Sequence, residues 1–103
     1  TLLDMLNLDE AGFKSLFSSS PVKRTGYIRF MRNCLIAAGN AGDDKLIPRV
    51  KSYLLHHDPR LRASAVWALS CYLDGGALAS LHPSEERDID VQAEWKTALN
   101  LAD

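Results

Sequence analysis

The sequence predicts an all-α domain built as a short solenoid of stacked antiparallel helix pairs. Three observations lead there. Apolar residues recur at three- and four-residue spacing, while the alternation that marks strands is rare. The turn-forming stretches "SSSP", "GNAGD", "HHDPR" and "DGG" break that pattern at helix-sized intervals. The helical pattern also repeats itself, with a period of about 30 residues.

The elements follow in order. Asp9 caps a helix running to about Phe17, with Phe13, Leu16 and Phe17 on its inner side. "SSSP" ends that segment. From about Thr25, the positions Tyr27, Phe30, Met31, Cys34, Leu35 and Ala38 form one apolar face of a helix. "GNAGD" stops it, with Gly39 or Gly42 able to take a positive φ. Asp43 caps a helix to about His56 that turns Leu46, Ile47, Val50, Leu54 and Leu55 inward. In "HHDPR", Asp58 is the cap and Pro59 the first helical residue. The helix that follows, to about Leu73, reads as almost wholly buried through "ASAVWALSCYL". "DGG" breaks it, a short helix comes next, and a last helix covers about Ile89 to Leu101.

The repeat can be written out. "DPRLRASAVWAL" (58–69) aligns with "DIDVQAEWKTAL" (88–99), matching Asp58 with Asp88, Leu61 with Val91, Ala63 with Ala93 and Leu69 with Leu99. At an offset of 31 the earlier helix joins them: Arg29 over Arg60, Phe30 over Leu61, Cys34 over Ala65, and Asp43 over Asp74. A period of turn, helix, turn, helix is that of HEAT-like and related solenoids. Residues 1–103 therefore form a single helical-repeat domain. It has a lead-in segment over about 1–24 and repeats over about 25–56, 57–82 and 83–103.

At 103 residues the chain is one domain, and 47% apolar residues suffice for a core. No apolar run approaches the ~20 residues of a membrane span, and no signal segment opens the chain. The absence of an initiator Met points to a fragment or a processed chain. Cys34 and Cys71 sit inside apolar helical patterns and read as buried free thiols of a cytoplasmic protein.

The net charge of −1 hides an asymmetry. Residues 1–13 carry −3, residues 14–62 carry ten Lys/Arg against three acids for +7, and residues 63–103 carry −5. The middle of the chain is basic enough to attract phosphates. On the helix from about Thr25, Arg29, Arg32, Asn33 and Ile36 share the side opposite Phe30 and Cys34, and Lys23 and Arg24 precede its start. A guanidinium grips phosphate bidentately and stays charged. Arg60, in register with Arg29, extends the stripe, and Trp67 falls where Ile36 does. The plain alternative is a solvated basic face. Lys45, Arg49 and Lys51 lie on another helix and are expected to face water.

Two motifs carry the resemblance to a known family. "SPVKRTGYIRFMRNCLIAAGNAGD" and then "DPRLRASAVWALSCY" resemble the C-terminal region of epoxyqueuosine reductases, over about residues 9–73. The first block is the specific one; the second is shared by many HEAT-like repeats. Ser70 stands where the family pattern has Gly. The resemblance implies an enzyme that reduces epoxyqueuosine to queuosine at the tRNA wobble position, using a cobalamin and two iron–sulfur (4Fe–4S) clusters. It also implies that these cofactors belong to upstream catalytic domains of the same polypeptide. This chain would then be the C-terminal HEAT-like domain that helps hold the tRNA, with no catalytic or cofactor-binding residue of its own. A nucleic-acid contact through Lys23, Arg24, Arg29, Arg32, Asn33 and Arg60 is expected on that basis. A protein-binding HEAT-like module without a nucleic-acid role is the alternative.

The cysteine count agrees with that division. Iron–sulfur clusters take closely spaced sets such as C-x₂-C-x₂-C-x₃-C-P, whereas Cys34 and Cys71 lie far apart. No metal site is expected either, because His56 and His57 are adjacent, His82 is alone, and zinc takes about four converging ligands. The histidines at the helix end read as protonated imidazoles facing the C-terminal dipole. Arg62, four residues after Asp58, is expected to pair with it. "HPSEERDID" reads as a solvated acidic loop, and Trp95 as core.

Overall fold

The computed structural model describes residues 1–102, with side chains placed through residue 100. Among them the regular structure is entirely helical. Seven α-helices follow one another: α1 (Leu2–Leu6), α2 (Glu10–Leu16), α3 (Tyr27–Ala41), α4 (Ile47–Ser52), α5 (Pro59–Ser70), α6 (Gly75–Ala79) and α7 (Ile89–Ala102). Short 3₁₀ turns at Pro21–Thr25, Asp44–Leu46 and Tyr53–Leu55 join some of them.

The boundaries are set by side-chain caps. Asp9, Asp58 and Asp74 each accept a hydrogen bond from a backbone N–H of the turn they start. Such a bond satisfies one of the donors a helix start leaves orphaned. Asp43 plays the same part for the 3₁₀ turn before α4. Gly42, not Gly39, takes the left-handed conformation that ends α3, with φ +64°. The expected helix between Asp43 and His56 is thus a short α-helix with a 3₁₀ turn at each end. The lead-in segment holds an additional helix, α1, capped by Thr1 Oγ.

Helices α3, α5 and α7 are the three that the sequence register superposes. They lie side by side, α3 against α5 and α5 against α7. On the other side, α4 packs on α5 and α1, and α6 packs on α7. The molecule measures 44 × 29 × 16 Å. The smallest dimension fits two helix layers, whose axes pack at about 8–10 Å.

Between those layers lies the core: Leu6, Phe13, Met31, Leu35, Val50, Leu61, Leu69, Leu78, Val91 and Trp95 are each at most 1% exposed. The end of α1 is tied down at the Leu6 carbonyl, which accepts from Tyr53 Oη at 2.6 Å and Arg49 Nε at 2.9 Å. Arg49 therefore does not face water as expected. It braces α4 against the end of α1, and its guanidinium lies 5.1 Å from the Tyr53 ring centre.

Other expectations fail for reasons of packing. Leu16 and Leu55, the last residues of α2 and of the 3₁₀ turn Tyr53–Leu55, are 57% and 85% exposed. Tyr53 fills the inward place beside Leu54 instead. Cys34 is buried, but Cys71, just past the end of α5, is exposed. Trp67 is only half-buried, in a helix otherwise lined by buried Leu61, Ala65, Val66 and Leu69.

Arg62 does not pair with Asp58. Its Nε lies 2.8 Å from Glu86 Oε1, Nη2 lies 3.0 Å from Glu86 Oε2, and Nη1 donates to the carbonyls of His56 and His57. The loop after α6 is thereby pinned to the start of α5, so "HPSEERDID" is not simply solvated. His56 Nδ1 accepts from Asp58 N at 2.9 Å, and burial pushes this imidazole below its ordinary value. His56 is a neutral ring stacked between Tyr53 and His57, not the protonated imidazole expected. Among the described residues, no helix is long and apolar enough to cross a membrane.

Candidate nucleic-acid interface

The helical period decides which side chains of α3 reach solvent. Met31, Cys34, Leu35 and Ala38 are buried, so Arg29, Arg32, Asn33 and Ile36 emerge on the opposite side, and all four are exposed. The chain enters α3 through the 3₁₀ turn Pro21–Thr25, closed by Gly26 at φ +84°. Only glycine adopts that backbone readily. The turn leaves Lys23 and Arg24 exposed just ahead of the helix. Lys23, Arg24, Arg29 and Arg32 make no ion pair and no side-chain hydrogen bond among the described residues.

Arg60 differs. It is exposed, but its Nη2 lies 2.8 Å from Asp58 Oδ2 and its Nε 3.1 Å from Asp58 Oδ1. The same pairing lowers the carboxyl of Asp58 below its ordinary range. The charge of Arg60 is largely compensated before any ligand arrives.

The expected stripe is therefore distributed over three places. Arg32 and Arg60 border one groove of about 510 Å³ on the outer face of α3, α5 and α7. Lys23 and Arg24 border a second depression of about 530 Å³, together with Ser18, Ser19 and Ser20. Arg29 and Asn33 line neither. Lys45 and Lys51, on the 3₁₀ turn before α4 and on α4 itself, are exposed as expected.

The groove on the outer face of α3, α5 and α7 has a feature that the basic stripe did not foretell. Its wall on α3 holds Arg32 and Ile36, and its floor on α5 holds Arg60, Ala63 and Trp67. Its far wall, at the start of α7, holds Asp88, Asp90 and Glu94. Asp88 caps α7, with Oδ1 accepting from Asp90 N and Val91 N, whereas Asp90 and Glu94 make no ion pair among the described residues. The repeat register already held the signal. The position occupied by Arg29 and then Arg60 is occupied by Asp90 in α7, and Trp67 follows the exposed Ile36. The basic face thus gives way to an acidic one within a single helical row.

Trp67 lies close against α3 at Gly39. A Cβ at Gly39 would fall 2.5 Å from Trp67 Cζ3 and 3.1 Å from Ala68 Cα, so α5 approaches α3 closely only because that side chain is missing. The indole packs on the α3 backbone and still borders the groove. None of the protein-family models, curated proteins or solved structures compared with the chain matches it.

Proposed function

We propose that this chain is a HEAT-like helical-repeat domain that binds and positions tRNA, as the C-terminal domain of an epoxyqueuosine reductase. The observation that carries the reading is the outer side of α3. Arg29, Arg32 and Asn33 are exposed there, Lys23 and Arg24 stand exposed before it, and none of the four cations is paired among the described residues. Free guanidinium and ammonium groups along α3 and just before it are what contacts to a phosphate backbone require. The sequence resemblance supplies the identity of the nucleic acid. The side-by-side row of α3, α5 and α7 supports the repeat architecture.

In this reading the chain performs no catalysis. Cys34 and Cys71 sit singly on α3 and beyond α5, which is no ligand set for an iron–sulfur cluster. The cobalamin and both clusters of the parent enzyme would belong to its upstream domains, and the wobble base would be reduced there in the cytoplasm. A second reading, a protein-binding repeat module, draws on the acidic wall formed by Asp90 and Glu94. Salt-dependent tRNA binding that is lost when Arg29 and Arg32 are reversed in charge separates the two.

A further inference from the structure

The groove between α3 and α7 sorts its charges instead of mixing them. The cations stand on the α3 side and on the floor, and the carboxylates stand on the α7 side. A phosphate backbone running across the row would meet Asp90 and Glu94, so duplex RNA is confined to the α3 side. A single nucleotide is sorted in the same way, with a phosphate at one end and the hydrogen-bonding edge of its base at the other.

Resting on the tRNA reading above, we infer that this groove holds one unpaired guanine nucleotide from a single-stranded stretch of the bound RNA. The base stacks on Trp67, its phosphate faces Arg32, and its Watson–Crick edge faces Asp90 and Glu94. Each part has a physical reason. An aromatic side chain on a groove floor is the standard platform for an unstacked base. The missing side chain at Gly39 lets the indole lie close against α3 while it borders the groove. Guanine presents adjacent N–H donors on that edge, and ionised carboxylates are acceptors only. Uracil offers one such donor flanked by two carbonyls, which the carboxylates would repel. Two helix spacings of about 8–10 Å separate the axes of α3 and α7, room for a nucleotide laid across α5. A volume of about 510 Å³ lies within the range of small-ligand sites.

The test uses the RNA hexamers UUGUUU and UUUUUU, with tetra-arginine as a peptide probe. Binding is followed by anisotropy and by tryptophan emission. Trp95 is 1% exposed, so quenching by a ligand reports on Trp67. UUGUUU should bind at least about tenfold more tightly than UUUUUU and quench the emission. Asp90→Asn with Glu94→Gln should remove most of that preference while leaving UUUUUU binding in place. Trp67→Phe should keep it, and Trp67→Ala, checked for folding by its melting transition, should lose it. Equal affinity for the two hexamers, or no binding of either, would overturn the inference. So would a preference that survives the carboxylate changes, or quenching by tetra-arginine alone, which would make the groove a peptide site. If tRNA binds through Arg29 and Arg32 without any guanine preference, the proposed function stands and only this inference falls.

Discussion

Gly39 on α3 and Trp67 on α5 touch so closely that a single methyl group at Gly39 would stand 2.5 Å from the indole. The contact sets the spacing of the first two helices in the outer row and holds the floor of the groove. Gly39→Ala should therefore destabilise the protein, even though alanine is the better helix former by about 0.5–1 kcal/mol. Overpacking costs about 1–3 kcal/mol, and the Ala68 backbone at 3.1 Å cannot swing aside as a side-chain tip could. Thermal unfolding checks this: a melting temperature several degrees lower, with altered Trp67 emission, is the expected result. An unchanged or higher one would show that α5 yields freely.

The two tryptophans should separate in the same assay. Trp95 is 1% exposed, and its truncation to Ala should cost about 3–5 kcal/mol. Trp67 is partly exposed where it borders the groove, so Trp67→Ala should cost less than Trp95→Ala. The sequence alone, which places Trp67 in the most apolar helix, argues for the larger loss there. A greater fall in melting temperature for Trp67→Ala than for Trp95→Ala would reverse the assignment.

Acid should weaken the fold in two stages. His56 titrates below its ordinary value because it is buried beside His57, so the unfolded chain takes up that proton first. Stability should begin to fall as pH drops below about 6.5. Glu86 is held below the usual carboxylate range, first by the hydrogen bonds from Arg62. Its contribution is present above the unfolded value of about 4.3 and is lost as pH falls through the lower folded value. Glu86→Gln should shrink the second stage, to which Asp58 held low by Arg60 also contributes, and cost about 1–3 kcal/mol at neutral pH, while His56→Phe should remove the first. Denaturant unfolding across pH 3–8 measures both.

Much of the fold is legible from the sequence because it is local. The caps at Asp9, Asp43, Asp58 and Asp74 act within three residues of themselves. The apolar face of α3 repeats over four turns, and the register that relates α3, α5 and α7 emerges as their packing order. Five-residue α1 is too short for any periodicity to register. What the sequence could not supply is pairing across distance. Arg62 finds Glu86, 24 residues away, in preference to the nearer Asp58, and Asp58 takes Arg60 instead. Arg49 reaches Leu6, 43 residues back. The basic stripe was legible as an exposed face of α3. The repeat register marks the acidic wall by Asp90 at the Arg29 and Arg60 position, but that the wall faces the stripe across a groove emerges only when α7 packs on α5.

The central claim is that the outer face of α3 carries tRNA through its phosphates. Affinity of the protein for tRNA at two salt concentrations tests it most directly, with wild type compared against two double variants. Each phosphate contact should contribute a slope of roughly 0.7–0.9 in the log–log salt dependence. Arg29→Glu with Arg32→Glu should weaken binding at least about tenfold and flatten that slope. Lys45→Glu with Lys51→Glu, exposed on another part of the surface, should change both far less. All four side chains are exposed, so both variants should stay folded. Equal affinities and equal slopes for the three proteins would contradict the claim and put the protein-binding module in its place.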